Sequence, residues 1–431
     1  MAEIKSHKIK ISILLLLTLI AFILIIKASS EVSHTQKEVP LATKGVLDLR
    51  DWDFKVDGII KLNGGWEFYN NELLLPEELK SVPVVSARND QAPVYDHIPG
   101  IFGQQGYCTY RLKLLMDNKD ELYSVKIDFI QNAYELWADN KLITSVGQVG
   151  KSRNEMVPQK VPSIGSFYVE NGETYLVLRV SNFYNKYGYI DTLILGESKD
   201  IMAIREKKLA LSLFIIGCTM MAAIYSFGVF INRRKEKAQL YFAIICIIIA
   251  VRTIFIGEGF IISLLPHLDY IFSTKIKIWT FYGYMPFIVL FIHNSYEQIM
   301  SSKFVEMSNY LAGAYTLIVM FVPIEYYLFY IPPFELFALV SLFNMMYKIC
   351  IVYIQKGKTG YIVVVGRDLK RHFIKKLKVD TVYIVVVGLF ALFITRINDI
   401  LYEYSIIITN SFAPLGILIF IIVNYYLFRG L

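Results

Sequence analysis

From Leu209 onward the chain is a succession of long apolar stretches, and that feature leaves few folds open. A run of about 20 apolar residues crosses a bilayer as a helix, because lipid offers its backbone no hydrogen-bond partner. Seven such spans are expected, near 209–231, 238–256, 277–293, 307–323, 332–354, 381–397 and 405–428. Composition agrees. Hydrophobic residues make up 55% of the chain and charged ones only 19%, against about 25% charged in soluble domains.

Before Leu209 the pattern changes. Residues 31–200 are mixed, with short alternating runs, and carry 18 Lys+Arg against 24 Asp+Glu, a net of −6. The remainder is +13, which brings the whole chain to +7. A basic total could suggest nucleic acid, but the excess lies beside apolar spans, where the positive-inside bias accounts for it. No nucleic-acid partner is expected.

The division implies three parts. Residues 1–30 combine a basic start, an apolar run of about 15 residues and the small-residue exit Ala28-Ser29-Ser30. They are equally a signal peptide or a short membrane anchor. Residues 31–200 follow as an exported domain, and 201–431 as the membrane domain, with a basic loop at 355–380. The basic "NRRKEK" (232–237) belongs in the cytoplasm. The loops near Glu258–Lys275, Ile324–Glu335 and Asn398–Tyr404, poorer in Lys and Arg, belong outside. This arrangement predicts a multi-pass protein of the cell membrane, with an extracytoplasmic N-terminal domain and a cytoplasmic C-terminus.

The exported region reads as β. In "ELYSVKIDFIQ", Val125, Ile127 and Phe129 alternate with Ser124, Lys126 and Asp128, as in a strand with one solvent face. "YCTYRLKLLM" and "TYLVLRVS" read likewise. Turns are expected at Asp139-Asn140, Asn171-Gly172, Pro99-Gly100 and Pro162–Gly165. Several short strands punctuated in this way favour a β-sandwich. The order "GGWEFYNNEL", "IPGIFGQQGYCTYRLKL", "NAYELWADNKLITSVGQ" and "LVLRVSNFYNKYGYIDTLILG" resembles the galactose-binding type of jelly roll, over most of residues 45–198.

The membrane half carries a second resemblance. "AVRTIFIGEGFIISLLPHLDY" (250–270) and "RINDILYEYSIIITNSFAPLGILIFIIVNYYL" (396–427), with the span count and domain order, resemble the bacterial seven-transmembrane receptors with diverse intracellular signalling modules. The fold class implied is a seven-helix membrane bundle after an all-β jelly-roll sandwich. The resemblance also implies a sensor that binds an extracellular small molecule or glycan and relays the signal inward. Its relatives usually carry a cytoplasmic enzyme or regulator module after the last span, whereas "FRGL" ends this sequence at Leu431. The expectation is therefore that the output passes to a separate cytoplasmic signalling protein, or that the product is a truncated relative with residual function. A transporter or membrane transferase handling envelope glycans is the alternative, and it predicts a polar pathway near the bilayer midplane.

Candidate residues fall in three groups. Exposed aromatics and amides hold sugars by stacking and hydrogen bonding, which points to Tyr107, Asn182, Tyr184, Tyr187 and Tyr189. Trp66 and Trp137 are expected in the core. Arg252, Glu258, Arg396, Asn398 and Asp399 form a polar set at the outer ends of spans two and six. Its two readings are a coupling cluster beneath the sensor and, in the plainer case, a structural pair or an arginine snorkelling to the outer headgroups.

The third group lies between the near-identical "TGYIVVVG" (359–366) and "TVYIVVVG" (381–388). The first copy is too short to cross a core of about 30 Å. In "RDLKRHFIKKLKV", Lys370, Arg371, Lys375, Lys376 and Lys378 surround Leu369, Phe373 and Leu377 as in a basic amphipathic helix, suited to anionic membrane lipids or to a docking partner. "GKTG" and "DWD" lack the context for phosphate or metal binding. No Cys/His spacing fits a metal, no nucleophile–base set stands out, and neither an enzyme nor a cofactor is expected.

Overall fold

The computed structural model describes residues 38–80, 105–117, 121–130, 132–184, 190, 193–265, 267–295, 300–356, 361–368, 371–403, 412 and 415–421. The N-terminal segment 1–30 and the turn expected at Pro99-Gly100 lie outside them. The chain forms two compact units. One comprises the described residues of 31–210 together with those of 257–273. The other comprises those of 211–256 and 274–431.

The first unit is built on ten strands: β1 (Val46–Asp48), β2 (Ile60–Lys61), β3 (Glu67–Asn70), β4 (Gly106–Leu115), β5 (Leu122–Ile127), β6 (Ala133–Ala138), β7 (Lys141–Val146), β8 (Ser163–Tyr168), β9 (Glu173–Asn182) and β10 (Leu193–Glu197). One sheet runs β1-β4-β9-β6-β7, with β3 also on β4, and the other runs β2-β10-β5-β8. β4 and β9 pair antiparallel along ten residues, from Gly106↔Asn182 to Leu115↔Glu173. On β4 the period of two sends Cys108, Tyr110, Leu112 and Leu114 into the core. Both sheets supply one hydrophobic cluster that also holds Trp52, Trp66, Val125, Ile127, Leu193 and Leu195, the arrangement of a sandwich.

Trp66 is buried and its Nε1 donates to the carbonyl of Leu62 at 3.1 Å, so it fills the core as expected. Trp137 is only partly buried, against a small cluster of Tyr69, Leu79 and Val177. Asp139 and Asn171-Gly172 turn with positive φ. Pro162–Gly165, expected as a turn, instead leads into β8, where Gly165 pairs with Val125. A Cβ at Gly165 would meet Ile143 Cγ1 at 2.8 Å, so this glycine allows close approach within a strand.

The strand with one solvent face is corrected by β5. Ser124 and Lys126 are both fully buried, as are Val125 and Ile127. Alternation identified the strand correctly, but polar residues on the second face are covered as well.

The second unit is helical. The α-helices of the chain, in order, are α1 (Ser198–Asn232), α2 (Lys237–Phe255), the short α3 (Phe260–Leu264), α4 (Tyr270–Tyr282), α5 (Met285–Ser295), α6 (Ser302–Phe321), α7 (Tyr327–Lys356) and α8 (Val379–Glu403). The first turns of α1 and α4, and the whole of α3, fall within the sandwich unit. Among the described residues four helical segments are long and apolar enough to cross a membrane: Ser198–Asn232, Lys237–Phe255, Tyr270–Ser295 and Ser302–Phe321. The other three expected spans coincide with α7, α8 and the helical residues 415–421, and they are not among these four. At about 1.5 Å per residue, the 35 residues of α1 exceed the ~30 Å hydrocarbon core. Its first 13 residues are correspondingly part of the sandwich unit.

Pro286 explains the break between α4 and α5. It has no N–H to donate, and its ring would clash with the carbonyl four residues back, that of Tyr282. Gly283 and Tyr284 form a turn, and the helix restarts at Met285. The break frees carbonyls that a bilayer cannot hydrate.

The basic segment between the two YIVVVG copies is not a helix. β11 (Tyr361–Asp368) and β12 (Arg371–Lys378) pair antiparallel, from Tyr361↔Lys378 to Asp368↔Arg371. The β-branched run Ile362–Val365 favours an extended backbone and gives the basic stretch a partner strand. The second copy lies in α8.

Gly64 shows how tightly the sandwich closes. Its φ is +111°, and a Cβ there would meet the backbone oxygen and nitrogen of Ala42 at 2.3 and 2.4 Å. Gly64→Ala should lower the stability of this unit by about 1–3 kcal/mol through backbone strain, read as a drop in the thermal midpoint of the full chain in detergent.

Candidate functional site

At one end of the sandwich unit, β6 and β9 bring two amides together. Asn132, just before β6, and Asn182, the last residue of β9, are both buried. Asn132 Nδ2 donates to Asn182 Oδ1. Asn132 Oδ1 in turn accepts from the Tyr270 hydroxyl at 2.9 Å. Tyr184 lies edge-on to Tyr270, with ring centroids 6.0 Å apart, and carries the Arg153 guanidinium 4.6 Å over its ring. Tyr107, on β4 opposite Ser181, has its ring 6.5 Å from that of Phe183.

Of the five proposed ligand residues, Tyr107, Asn182 and Tyr184 thus lie at one end of β4 and β9. Tyr187 and Tyr189 lie outside the described residues. Asn182 is engaged within the fold, whereas Tyr107 and Tyr184 are partly exposed.

The same unit holds an ion network that the alternation pattern concealed. Lys126 is fully buried on β5, and its ammonium meets Asp128 and, at 3.1 Å, Glu258 Oε1. Asp128 Oδ2 also takes Lys208 Nζ, from the first part of α1, at 2.8 Å. The Glu258 side chain is only 5% exposed. Burial pushes the Asp128 carboxyl up, but Lys208 and Lys126 outweigh it and hold the group below the ordinary value of 3.8. Residues 257–273 thus contribute an acid and a tyrosine to the sandwich unit. A sequence signal for this existed: Glu258 is an acid at the end of an apolar span, and no Lys or Arg follows it until Lys275.

Of the polar set expected at the span ends, Glu258 belongs to the sandwich unit and Arg252, Arg396, Asn398 and Asp399 belong to the helical unit. There the Arg252 and Arg396 guanidiniums lie 4.4 and 3.8 Å from the ring centroid of Phe281. Arg252 Nη1 donates to the carbonyl of Lys277 at 3.1 Å. Arg396, 2% exposed, donates through Nη2 to the Phe281 carbonyl, one of those near the Pro286 break. Asp399 Oδ1 accepts from Asn398 Nδ2 at 3.3 Å and from the Phe412 amide at 2.7 Å.

Sequence reasoning missed Glu335, a buried carboxylate on α7 that accepts from the Tyr282 hydroxyl at 2.8 Å. A cavity of about 230 Å³ in the same unit is lined by Trp279, Tyr282, Phe287, Asn309 and Tyr315, among others. Of the basic-loop candidates, Arg371, Lys375, Lys376 and Lys378 stand on β12, and Lys370 lies outside the described residues. Among those residues, no three His, Cys, Asp or Glu side chains cluster as a metal site would require.

Residues 208–367 match the family described as 7TM diverse intracellular signalling, which agrees with the resemblance read from the sequence. No curated protein matches the chain. Similar solved structures include a GH2 β-galacturonidase from Eisenbergiella tayi bound to galacturonate (13% identity, 32% of this chain and 24% of that one, TM-score 0.24). β-Glucuronidases from Ruminococcus gnavus (12%, 32% and 27%, TM-score 0.24) and Faecalibacterium prausnitzii (11%, 32% and 31%, TM-score 0.24) are similar to the same extent. The chain thus spans between 24% and 31% of the length of these enzymes.

Asp128 carries a pH dependence. Its folded pKa is lowered, so its contribution is complete above about 3.8 and is lost as pH falls through the folded value. Asp128→Asn should lower the thermal midpoint of the full chain at neutral pH. It should also flatten the decline seen as pH falls below about 4, measured by differential scanning fluorimetry.

Proposed function

Given the 7TM diverse intracellular signalling family match over residues 208–367, we propose that this membrane protein is a receptor whose jelly-roll sandwich binds an extracellular ligand, with a glycan as the leading class. The domain boundaries are those read from the sequence: 1–30 a leader or anchor, 31–200 the sensor, 201–431 seven spans. The sandwich lies outside the cell membrane and the C-terminus inside. The signal passes to a separate cytoplasmic protein.

One observation carries this reading. The segment 257–273, which joins α2 to α4, folds as part of the sandwich unit through Glu258–Lys126 and Tyr270–Asn132. A ligand on Tyr107 and Tyr184 would act directly on the ring packed against Tyr270. It would thereby bias the two helices that continue from the segment, provided it favours one of their arrangements over the other. Helix α1 receives the same bias through Lys208 and Asp128. In the helical unit, Arg252, Arg396, Asn398 and Asp399 are the polar positions through which such a rearrangement would propagate.

The test is a glycan array probed with the detergent-solubilised full chain, followed by thermal-shift titration of whatever is retained. Tyr184→Ala should weaken binding about tenfold, the scale of one lost stacking contact. An array that retains nothing, or a retained glycan indifferent to Tyr184→Ala, would contradict the sensor assignment.

A further inference from the structure

The β11–β12 hairpin is a two-stranded sheet that pairs with no third strand among the described residues. Such a hairpin is marginal in water, and a surface against it would stabilise it. Residues 361–378 contain six Lys+Arg against one acid, Asp368. The register separates that charge into two places. Tyr361↔Lys378 and Val363↔Lys376 lie at the base, and Asp368↔Arg371 at the tip.

Chain continuity fixes what the base is next to. α7 ends at Lys356, five residues before β11, and α8 begins at Val379, directly after Lys378. With α7 and α8 read as spans five and six, the base lies at the bilayer surface. A strand rises about 3.4 Å per residue, so Lys375, Lys376 and Lys378 stand within about 10 Å of it along the chain. That is roughly one Debye length at physiological salt, inside which each cation is attracted by an anionic leaflet. A second copy of this hairpin would bring the same positive charge and is disfavoured as the occupant.

We propose that the base of this hairpin, through Lys375, Lys376 and Lys378, is a docking surface for the anionic lipid headgroups of the surrounding bilayer. The hairpin is then held against the membrane, and its tip is left as the part turned to the cytoplasm. The proposal rests on the reading of α7 and α8 as spans and is independent of which ligand the sandwich binds.

Hydrogen–deuterium exchange on the full chain in nanodiscs tests it, with phosphatidylcholine alone compared with a mixture containing phosphatidylglycerol. Both leaflets carry the anionic lipid, so orientation does not enter. Amides of 361–378 should exchange at least about tenfold more slowly in the anionic discs. Replacing Lys375, Lys376 and Lys378 with Gln should remove that difference, by about fivefold per lysine, while exchange over α8 stays slow. Equal exchange of 361–378 in the two lipids, or a difference that survives the triple replacement, would overturn the proposal. Fast exchange throughout α8 would instead defeat the span assignment on which it rests.

Discussion

The structure turns on one buried ammonium. Lys126 has no exposed side-chain surface, and an isolated charge in that position would cost several kcal/mol. Asp128 supplies one counter-charge from the same chain segment, but Asp128 is also engaged by Lys208. The second counter-charge comes from Glu258, more than 100 positions along the chain. The segment joining two helices is therefore part of the sandwich unit and more than a simple connection. Tyr270, with its bond to Asn132, fastens the other end of the same segment.

A similar constraint orders the helical unit. Pro286 stops α4, and the break leaves carbonyls that lipid cannot satisfy. Arg396 takes the Phe281 carbonyl while stacking on that residue's ring, and Arg252 approaches the same ring. A cation–π contact is stronger where water is excluded, so these arginines are held by aromatic faces and carbonyls as well as by any anion. Tyr282, next along the chain, binds the buried Glu335. One helix break thus gathers charged groups from α2, α7 and α8.

Much of this was legible in the residues. The alternation in β4 and β9 identified both strands, and the apolar stretches placed the helices now seen as α1, α2 and α6. Periodicity could not say whether the polar face of β5 would be covered, because the cover comes from elsewhere in the chain. Hence Lys126 and Asp128 were read as solvent-facing. Glu258 was noticed for its place at the end of a span, but spacing along helices does not name its partner Lys126 in the sandwich. The doubled YIVVVG makes the same point locally. One copy is strand and the other helix, so the hexapeptide alone does not decide; its neighbours do.

The claim that the 257–273 segment is built into the sandwich is tested most directly by a double-mutant cycle on Lys126 and Glu258. Lys126→Met, Glu258→Gln and the double variant would each be unfolded thermally and in denaturant as full chains. The account predicts that Glu258→Gln alone is strongly destabilising, by about 3–5 kcal/mol for a broken buried pair. The double variant should lose much less than the sum of the two, leaving a coupling of at least about 1 kcal/mol. Strictly additive losses would contradict it, because they would mean that Glu258 and Lys126 do not meet.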